Sequence, residues 1–118
     1  GDVMVANDGT ERAFPKFIIA RTGGTFATLK EIRNETTGLE LLFDYGLLNG
    51  ETLTIDLTPT NKSIVSSHWG SRLDAVLANC DFGTFALRSG NNQITAFVDT
   101  DATVTAYVVW DDKYWSQD

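Results

Sequence analysis

Apolar and polar residues alternate along much of this chain, which is the period-2 pattern of half-buried β-strands. In the clearest run Leu53, Ile55 and Leu57 are expected in a core, whereas the intervening Thr52, Thr54 and Asp56 are expected to face water. The pattern returns at residues 39–43, 94–98 and 104–110. In the last of these runs it places Trp110 on the core side and Tyr107 on the opposite face.

Turn-forming residues divide the chain into short segments. Clusters of Gly, Asn, Asp, Ser and Pro separate runs that are rich in Thr, Val, Ile and Phe, and such runs favour strands. The spacing is typical of a β-sandwich and predicts about nine or ten short strands. Pro15 should begin a strand or lie on a sheet edge, because proline cannot donate to the ladder.

Two hairpins follow from the turn signals. One joins a strand at residues 3–5, through Asn7-Asp8-Gly9, to the strand that starts near Pro15. The other joins residues 94–98 to residues 104–110 through Asp99-Thr100-Asp101. Residues 71–79 are ambiguous, because apolar side chains recur there at helical spacing. An extended segment is preferred to a single helical turn.

Composition narrows the class of protein. A chain of 118 residues predicts a single domain, residues 1–118, and its 42% hydrophobic content argues against disorder. The net charge of −7 disfavours nucleic acid and anionic lipid as partners. The sequence has no apolar run long enough to span a membrane and no signal-peptide pattern at Gly1, and both ends resemble cut points in a longer chain.

The residues that usually carry chemistry are few. His68 is the only histidine and Cys80 the only cysteine, so the chain predicts neither a His/Cys metal cluster nor an internal disulfide. It has no Gly-x-Ser-x-Gly elbow and no phosphate-binding glycine loop. We therefore expect no enzyme activity, no catalytic residues and no cofactor.

Three pairs of acidic residues lie close together in sequence: Glu51 with Asp56, Asp99 with Asp101, and Asp111 with Asp112. Paired carboxylates serve in glycosidases, and Asp99-Thr100-Asp101 has part of a calcium-ligand pattern. A small sandwich offers little room to bury one acid and raise its pKa. The preferred interpretation is that these acids are solvated turn residues.

Aromatic residues are the remaining candidates for binding. Trp69 lies beside His68 in the polar stretch of residues 66–70, and Tyr114 and Trp115 lie near the C-terminal end. Exposed indole and phenol rings contact both sugars and protein partners. These four residues are the predicted contacts for a partner or glycan.

Several blocks of sequence, in a fixed order, point to one family. They are Asn7-Asp8-Gly9 with Phe14-Pro15-Lys16-Phe17; Asn34-Glu35-Thr36-Thr37-Gly38; Asn49-Gly50-Glu51 leading into Leu53-Thr54-Ile55-Asp56; and Asp81-Phe82, an alternating strand at residues 84–87, and Gly90-Asn91-Asn92. In these blocks the chain resembles the C-terminal domain of the siphophage distal tail (Dit) family of phage tail and baseplate hub proteins. The block at Asn49 is the most recognisable.

The resemblance implies an all-β antiparallel sandwich of galectin-like or jelly-roll type, forming the C-terminal domain of a longer tail protein. Such a domain would be a virion structural component of the phage tail tip, made in the host bacterial cytoplasm. It would mediate tail assembly and the attachment of receptor-binding proteins, with other tail or baseplate proteins or a host-surface glycan as partners. Any homo-oligomer would form through the family's N-terminal domain, which these residues lack. The alternative is a carbohydrate-binding module of a larger protein.

Overall fold

In a computed structural model, which describes residues 2–8, 12–78, 80–110 and 113–117, the chain forms ten β-strands. For Asp2 and residues 113–117 this description covers the backbone alone. The strands are β1 (Asp2–Asn7), β2 (Lys16–Thr22), β3 (Ala27–Asn34), β4 (Glu40–Gly46), β5 (Thr52–Asp56), β6 (Ser63–Ser66), β7 (Gly70–Ser71), β8 (Gly90–Thr100), β9 (Thr103–Trp110) and β10 (Lys113–Gln117). Within these ranges no helix is long and apolar enough to cross a membrane.

The strands form two antiparallel sheets that pack face to face. One sheet has the order β1-β8-β3-β4 and the other the order β10-β9-β2-β5-β6-β7. The inward side chains make one apolar core, in which Phe17 of β2 meets Phe85 edge to face with ring centroids 5.6 Å apart. The predicted all-β antiparallel sandwich and its number of strands are confirmed.

The alternation in the sequence marks most of the core correctly. Leu53, Ile55 and Leu57 are fully buried, and Trp110 is buried whereas Tyr107 is partly exposed. Asp56 is the exception, because it is 8% exposed where a water-facing side chain was expected. Its carboxylate closes the end of β5 by accepting the N–H of the residue two positions on, at 3.0 Å.

Both predicted hairpins are wrong, because each pair of strands divides between the two sheets. β1 pairs with β8, while β2 pairs with β5 and β9. β8 pairs with β1 and β3, and β9 pairs with β2 and β10. The two residues between β8 and β9 therefore carry the chain from one sheet to the other.

Asp101 joins this connection by hydrogen bonds to a second connection that crosses between the sheets. Its Oδ1 accepts the N–H of Thr25 at 2.7 Å and the N–H of Phe26 at 3.1 Å, and its Oδ2 accepts the Thr25 hydroxyl. These residues belong to the β2–β3 connection, which also crosses between sheets. Gly24, with φ +66°, lets the connections approach, because a Cβ there would lie 2.5 Å from the Cβ of Ala102.

Two segments differ from the expected local structure. Residues 73–75 form a single 3-10 turn, so the preference for an extended segment there is wrong. The turn is closed by the Ala75 N–H, which donates to the Arg72 carbonyl at 2.8 Å, and the chain then runs extended beside β4. Residues 84–87 form no strand, although Phe85 and Leu87 are buried in the core.

Pro15 directly precedes β2, which lies inside the six-stranded sheet between β9 and β5. Of the two positions expected for this proline, the strand start is confirmed and the sheet edge is not. The missing N–H is harmless at that point, because the ladder begins only at the next residue.

Candidate functional site

Trp69 projects from a short, braced turn. We call residues 66–70, which join β6 to β7, the Trp69 turn. The Ser66 hydroxyl oxygen accepts the backbone N–H groups of His68 at 3.0 Å and Trp69 at 3.1 Å. Gly70 adopts φ +75°, a left-handed conformation that glycine reaches without steric cost. Trp69 stands on this turn, and the residue is 60% exposed.

A buried carboxylate lies beneath the Trp69 turn. Glu51 is fully buried, and it accepts three hydrogen bonds: from the Tyr45 hydroxyl at 2.5 Å, the Ser66 hydroxyl at 2.6 Å and the Leu48 N–H at 2.7 Å. Burial alone would raise the pKa of Glu51, but these hydrogen bonds outweigh it and hold the pKa below its ordinary value. Glu51 is therefore a buried anion that anchors the turn.

The Ser66 hydroxyl connects that anion to the backbone of the turn that carries the exposed Trp69. It donates its one proton to Glu51 and accepts two backbone N–H groups of the turn, so its hydrogen-bonding capacity is fully used. Ser67 adds a second tie, since its hydroxyl accepts the Thr52 N–H at 2.9 Å. Together these bonds restrict the motion of the turn before any ligand arrives.

Arg72 and Tyr45 form the floor beside the indole. The Arg72 guanidinium lies 5.7 Å from the centre of the Tyr45 ring, within range of a cation–π contact. Burial and the hydrogen bond to the Glu51 carboxylate raise the pKa of Tyr45. The Tyr45 phenol thus stays neutral and donates its proton to Glu51, while the face of its ring contacts the Arg72 guanidinium.

These groups border an open groove of about 400 Å³. The groove is lined by Asp44, Tyr45, Gly46, Leu48, Trp69 and Arg72. It combines a flat aromatic surface, one aliphatic side chain, a carboxylate and a guanidinium. This arrangement suits stacking, hydrogen bonding and ion pairing with a small polar group.

The structure separates the four predicted contact residues. Trp69 lines the groove; His68 is exposed on the same turn but does not line it, and its Nδ1 lies 3.3 Å from the Ser67 hydroxyl. Tyr114 and Trp115 lie on β10, whose backbone pairs with β9 at the opposite edge of the six-stranded sheet, about 24 Å from β7 at the usual strand spacing. Their side chains lie outside the described residues.

Sequence reasoning missed most of the groove. Asp44, Tyr45, Leu48 and Arg72 come from two segments that the fold brings together, and no local pattern links them. The alternation of β4 does continue through Tyr45, which is an inward position. The expectation that Glu51 is a solvated turn residue is wrong, because hydroxyls from two other strands reach it and make its burial possible.

The structure also describes the acidic pair Asp99 and Asp101. Both residues are exposed, as expected, but the Asp101 carboxylate already accepts hydrogen bonds from the β2–β3 connection. The hydrogen bond from the Thr25 hydroxyl, followed by those from the backbone N–H groups of Thr25 and Phe26, lowers the pKa of Asp101 to about 2. Asp111 and Asp112 lie outside the described residues.

The two single reactive residues are engaged locally. The Cys80 thiol donates to the Leu77 carbonyl at 3.2 Å and is partly buried, and His68 contacts its neighbour Ser67. In the described part of the chain, no three His, Cys, Asp or Glu side chains are grouped closely enough to hold a metal ion.

Comparison of the chain with known proteins found no matching family model, no matching curated protein and no matching solved structure.

Proposed function

We propose that this domain is a non-catalytic attachment module of a phage tail tip, or of a tail-like particle derived from a phage. It holds neighbouring tail proteins or a receptor-binding protein through the Trp69 turn. The observation that carries this proposal is an exposed tryptophan on a turn anchored by the buried Glu51. Tryptophan is enriched among the residues that dominate binding energy at protein interfaces.

The rigidity of the turn supports this role. Ordering a loop on binding consumes part of the interaction energy, so a surface that is ordered beforehand binds more tightly for the same contacts. The Trp69 turn already has its backbone N–H groups bound to Ser66. Its indole can be buried by a partner with little further ordering of the backbone.

The sheet edges near the turn also favour contact through side chains. β7 is only two residues long, and residues 76–77 run beside the edge strand β4, with the Leu77 N–H donating to the Leu42 carbonyl at 2.7 Å. Short or covered edges discourage strand addition by another chain. A partner at this end therefore meets the groove and the indole rather than an open ladder.

Sequencing the DNA around the coding segment tests the proposal. An upstream ring-forming domain in the same reading frame, flanked by genes for the tape-measure and tail-tip proteins, would support it. A reading frame that lies among metabolic genes, with no tail gene near it, would count against it.

The second candidate function is a carbohydrate-binding module of a larger protein. The specific observation in its favour is the groove, where an exposed indole lies beside polar side chains. A glycoside hydrolase domain in the same reading frame would favour this candidate. Tryptophan fluorescence against a glycan panel tests it directly, because a sugar stacked on Trp69 would shift the emission.

A further inference from the structure

Asn49 and Gly50 form the one Asn-Gly pair in the sequence, and they lie in the connection between β4 and β5. A tight turn there is closed by the Glu51 N–H, which donates to the Leu48 carbonyl at 3.0 Å. Gly50 is the third residue of this turn and has φ +82°, a conformation that favours glycine. Both residues of the pair are exposed, so water reaches them.

An Asn-Gly pair can deamidate without an enzyme. The backbone nitrogen of the glycine loses its proton to a base in the water and attacks the side-chain carbonyl carbon of the asparagine. A C–N bond forms, the C–NH₂ bond breaks, and ammonia leaves. Water then opens the resulting five-membered imide at one of its two carbonyls, which gives aspartate or isoaspartate. Glycine favours the attack because it has no side chain to hinder a close approach of the backbone.

The fold binds both reacting groups of this pair. The Gly50 N–H, whose nitrogen must attack, donates to the Arg21 carbonyl at 3.0 Å. The side-chain Oδ1 of Asn49 accepts the Gly23 N–H at 2.8 Å, so the amide group is held against the β2–β3 connection. The attack therefore requires both hydrogen bonds to break and the turn to change its dihedral angles.

The Arg21 side chain holds the same two connections together. It is 7% exposed, and its guanidinium donates to three carbonyls: Leu47 at 2.7 Å, Gly23 at 2.8 Å and Gly24 at 2.9 Å. The first carbonyl belongs to the β4–β5 connection and the other two belong to the β2–β3 connection. The turn at Asn49 is thus part of a hydrogen-bonded network and opens only if several of these bonds break.

We infer that Asn49-Gly50 is a deamidation site that the folded domain keeps closed. The site opens when the β4–β5 connection separates from the β2–β3 connection. Opening free energies differ between regions of a protein, so the rate of deamidation reports how often this turn opens. Isoaspartate would lengthen the main chain by one carbon atom between Leu48, which lines the groove, and the anchoring Glu51. The inference does not depend on the proposed attachment role.

Peptide mapping by mass spectrometry tests this in the 118-residue chain. One sample is unfolded in guanidinium chloride, and a folded sample contains sodium chloride at the same concentration and neutral pH. In the unfolded chain Asn49 should deamidate before any other asparagine. In the folded chain the rate at Asn49 should be at least about tenfold lower, because the open turn is a minor population. Equal rates at Asn49 in the two samples, or faster deamidation of another asparagine in the unfolded chain, would overturn the inference.

A variant tests the part played by Arg21. Arg21→Lys keeps the charge, but a compact ammonium does not reach three carbonyls arranged around a planar guanidinium. This variant, shown to be folded by circular dichroism, should deamidate at Asn49 several-fold faster than the unaltered chain. Arg88→Lys is the matched control, because Arg88 is exposed and its Nε donates to the nearby Asn91 carbonyl at 3.2 Å. An unchanged rate at Asn49 in folded Arg21→Lys would contradict the inference.

Hydrogen exchange provides a second measurement that needs no variant, which matters if Arg21→Lys does not fold. The Gly50 N–H should exchange more slowly in the folded chain than in the unfolded one, because it is bonded to the Arg21 carbonyl. A Gly50 N–H that exchanges at the unfolded rate would show that the turn is open in the native state, and this would overturn the inference.

Discussion

Replacing Glu51 by glutamine is expected to destabilise the domain more than its small change in size suggests. The carboxylate is fully buried and accepts three hydrogen bonds, from Tyr45, Ser66 and the Leu48 N–H. A glutamine offers one oxygen and one NH₂ group, so at least one of these donors faces another donor. The remaining bonds also lose their charged acceptor.

The magnitude follows from those contacts. A buried donor left without a partner costs about 1–3 kcal/mol, and hydrogen bonds to charged groups are the stronger class. Relief from burying a charge offsets part of this loss. We therefore expect Glu51→Gln to lower the free energy of unfolding by about 2–3 kcal/mol, which corresponds to a fall in Tm of roughly 8–12 °C for a domain of this size.

Urea denaturation followed by circular dichroism measures this free energy. Glu35→Gln is the control, because Glu35 is exposed and its ion pair with Arg33 is 3.6 Å long; exposed pairs contribute at most about 1 kcal/mol. A Glu51→Gln variant as stable as the unaltered chain, with an unchanged m-value, would refute the reasoning about the buried anion.

The pH dependence gives an independent check on the same residue. The pKa of Glu51 is lowered in the folded state from its ordinary value of 4.5. A lowered pKa contributes stability that is fully present above the unfolded value and is lost as the pH falls through the folded value. The difference between the unaltered chain and Glu51→Gln should thus be constant above about pH 5.5 and shrink below pH 4.5.

Three further predictions use other parts of the fold. Asp101→Ala should lower the Tm at pH 7, measured in thermal melts. Because the pKa of Asp101 is about 2 against an ordinary 3.8, the Tm difference from the unaltered chain should fade as the pH falls from 3.8 to 2. Equal Tm values at pH 7 would contradict this prediction. Gly24→Ala should cost about 2 kcal/mol or more in urea denaturation, through its positive φ and the clash with the β8–β9 connection, whereas Gly83→Ala, with open space around it, should be nearly neutral. Ser66→Ala should lower the Tm by several degrees, because the Ser66 hydroxyl is buried and all its hydrogen bonds are made. Trp69→Ala should leave the Tm almost unchanged, because Trp69 is exposed. The opposite ranking would show that Trp69, not Ser66, holds the turn.

Local pattern predicted most of the strands of this protein but not which strands pair with each other. Alternation depends only on which residues are next to each other, so it located Leu53, Ile55 and Trp110 in the core. The connection before β9 has the length and composition of a hairpin turn. It crosses between sheets instead, because Asp101 binds the β2–β3 connection more than seventy residues earlier in the chain.

The candidate site was likewise predictable from the sequence only in part. The exposed position of Trp69 was predictable from its polar neighbours, and the structure confirms it. The buried state of Glu51 was not, since it requires hydroxyls from β4 and β6 that meet it only after the sheets pack. Arg72 is likewise distant in sequence from Asp44 and Tyr45, and only the fold brings these three residues to one groove.

The most direct test of the proposed attachment role is the binding of this domain to the tail proteins encoded beside it, measured by biolayer interferometry. At least one of those proteins should bind the unaltered chain, and Trp69→Ala should weaken that binding tenfold or more, the usual loss at a central interface tryptophan. Phe97→Ala, which removes an exposed aromatic residue of the other sheet, should bind like the unaltered chain. Equal affinities for Trp69→Ala and the unaltered chain, or no binding by any of these proteins, would contradict the role proposed for the Trp69 turn.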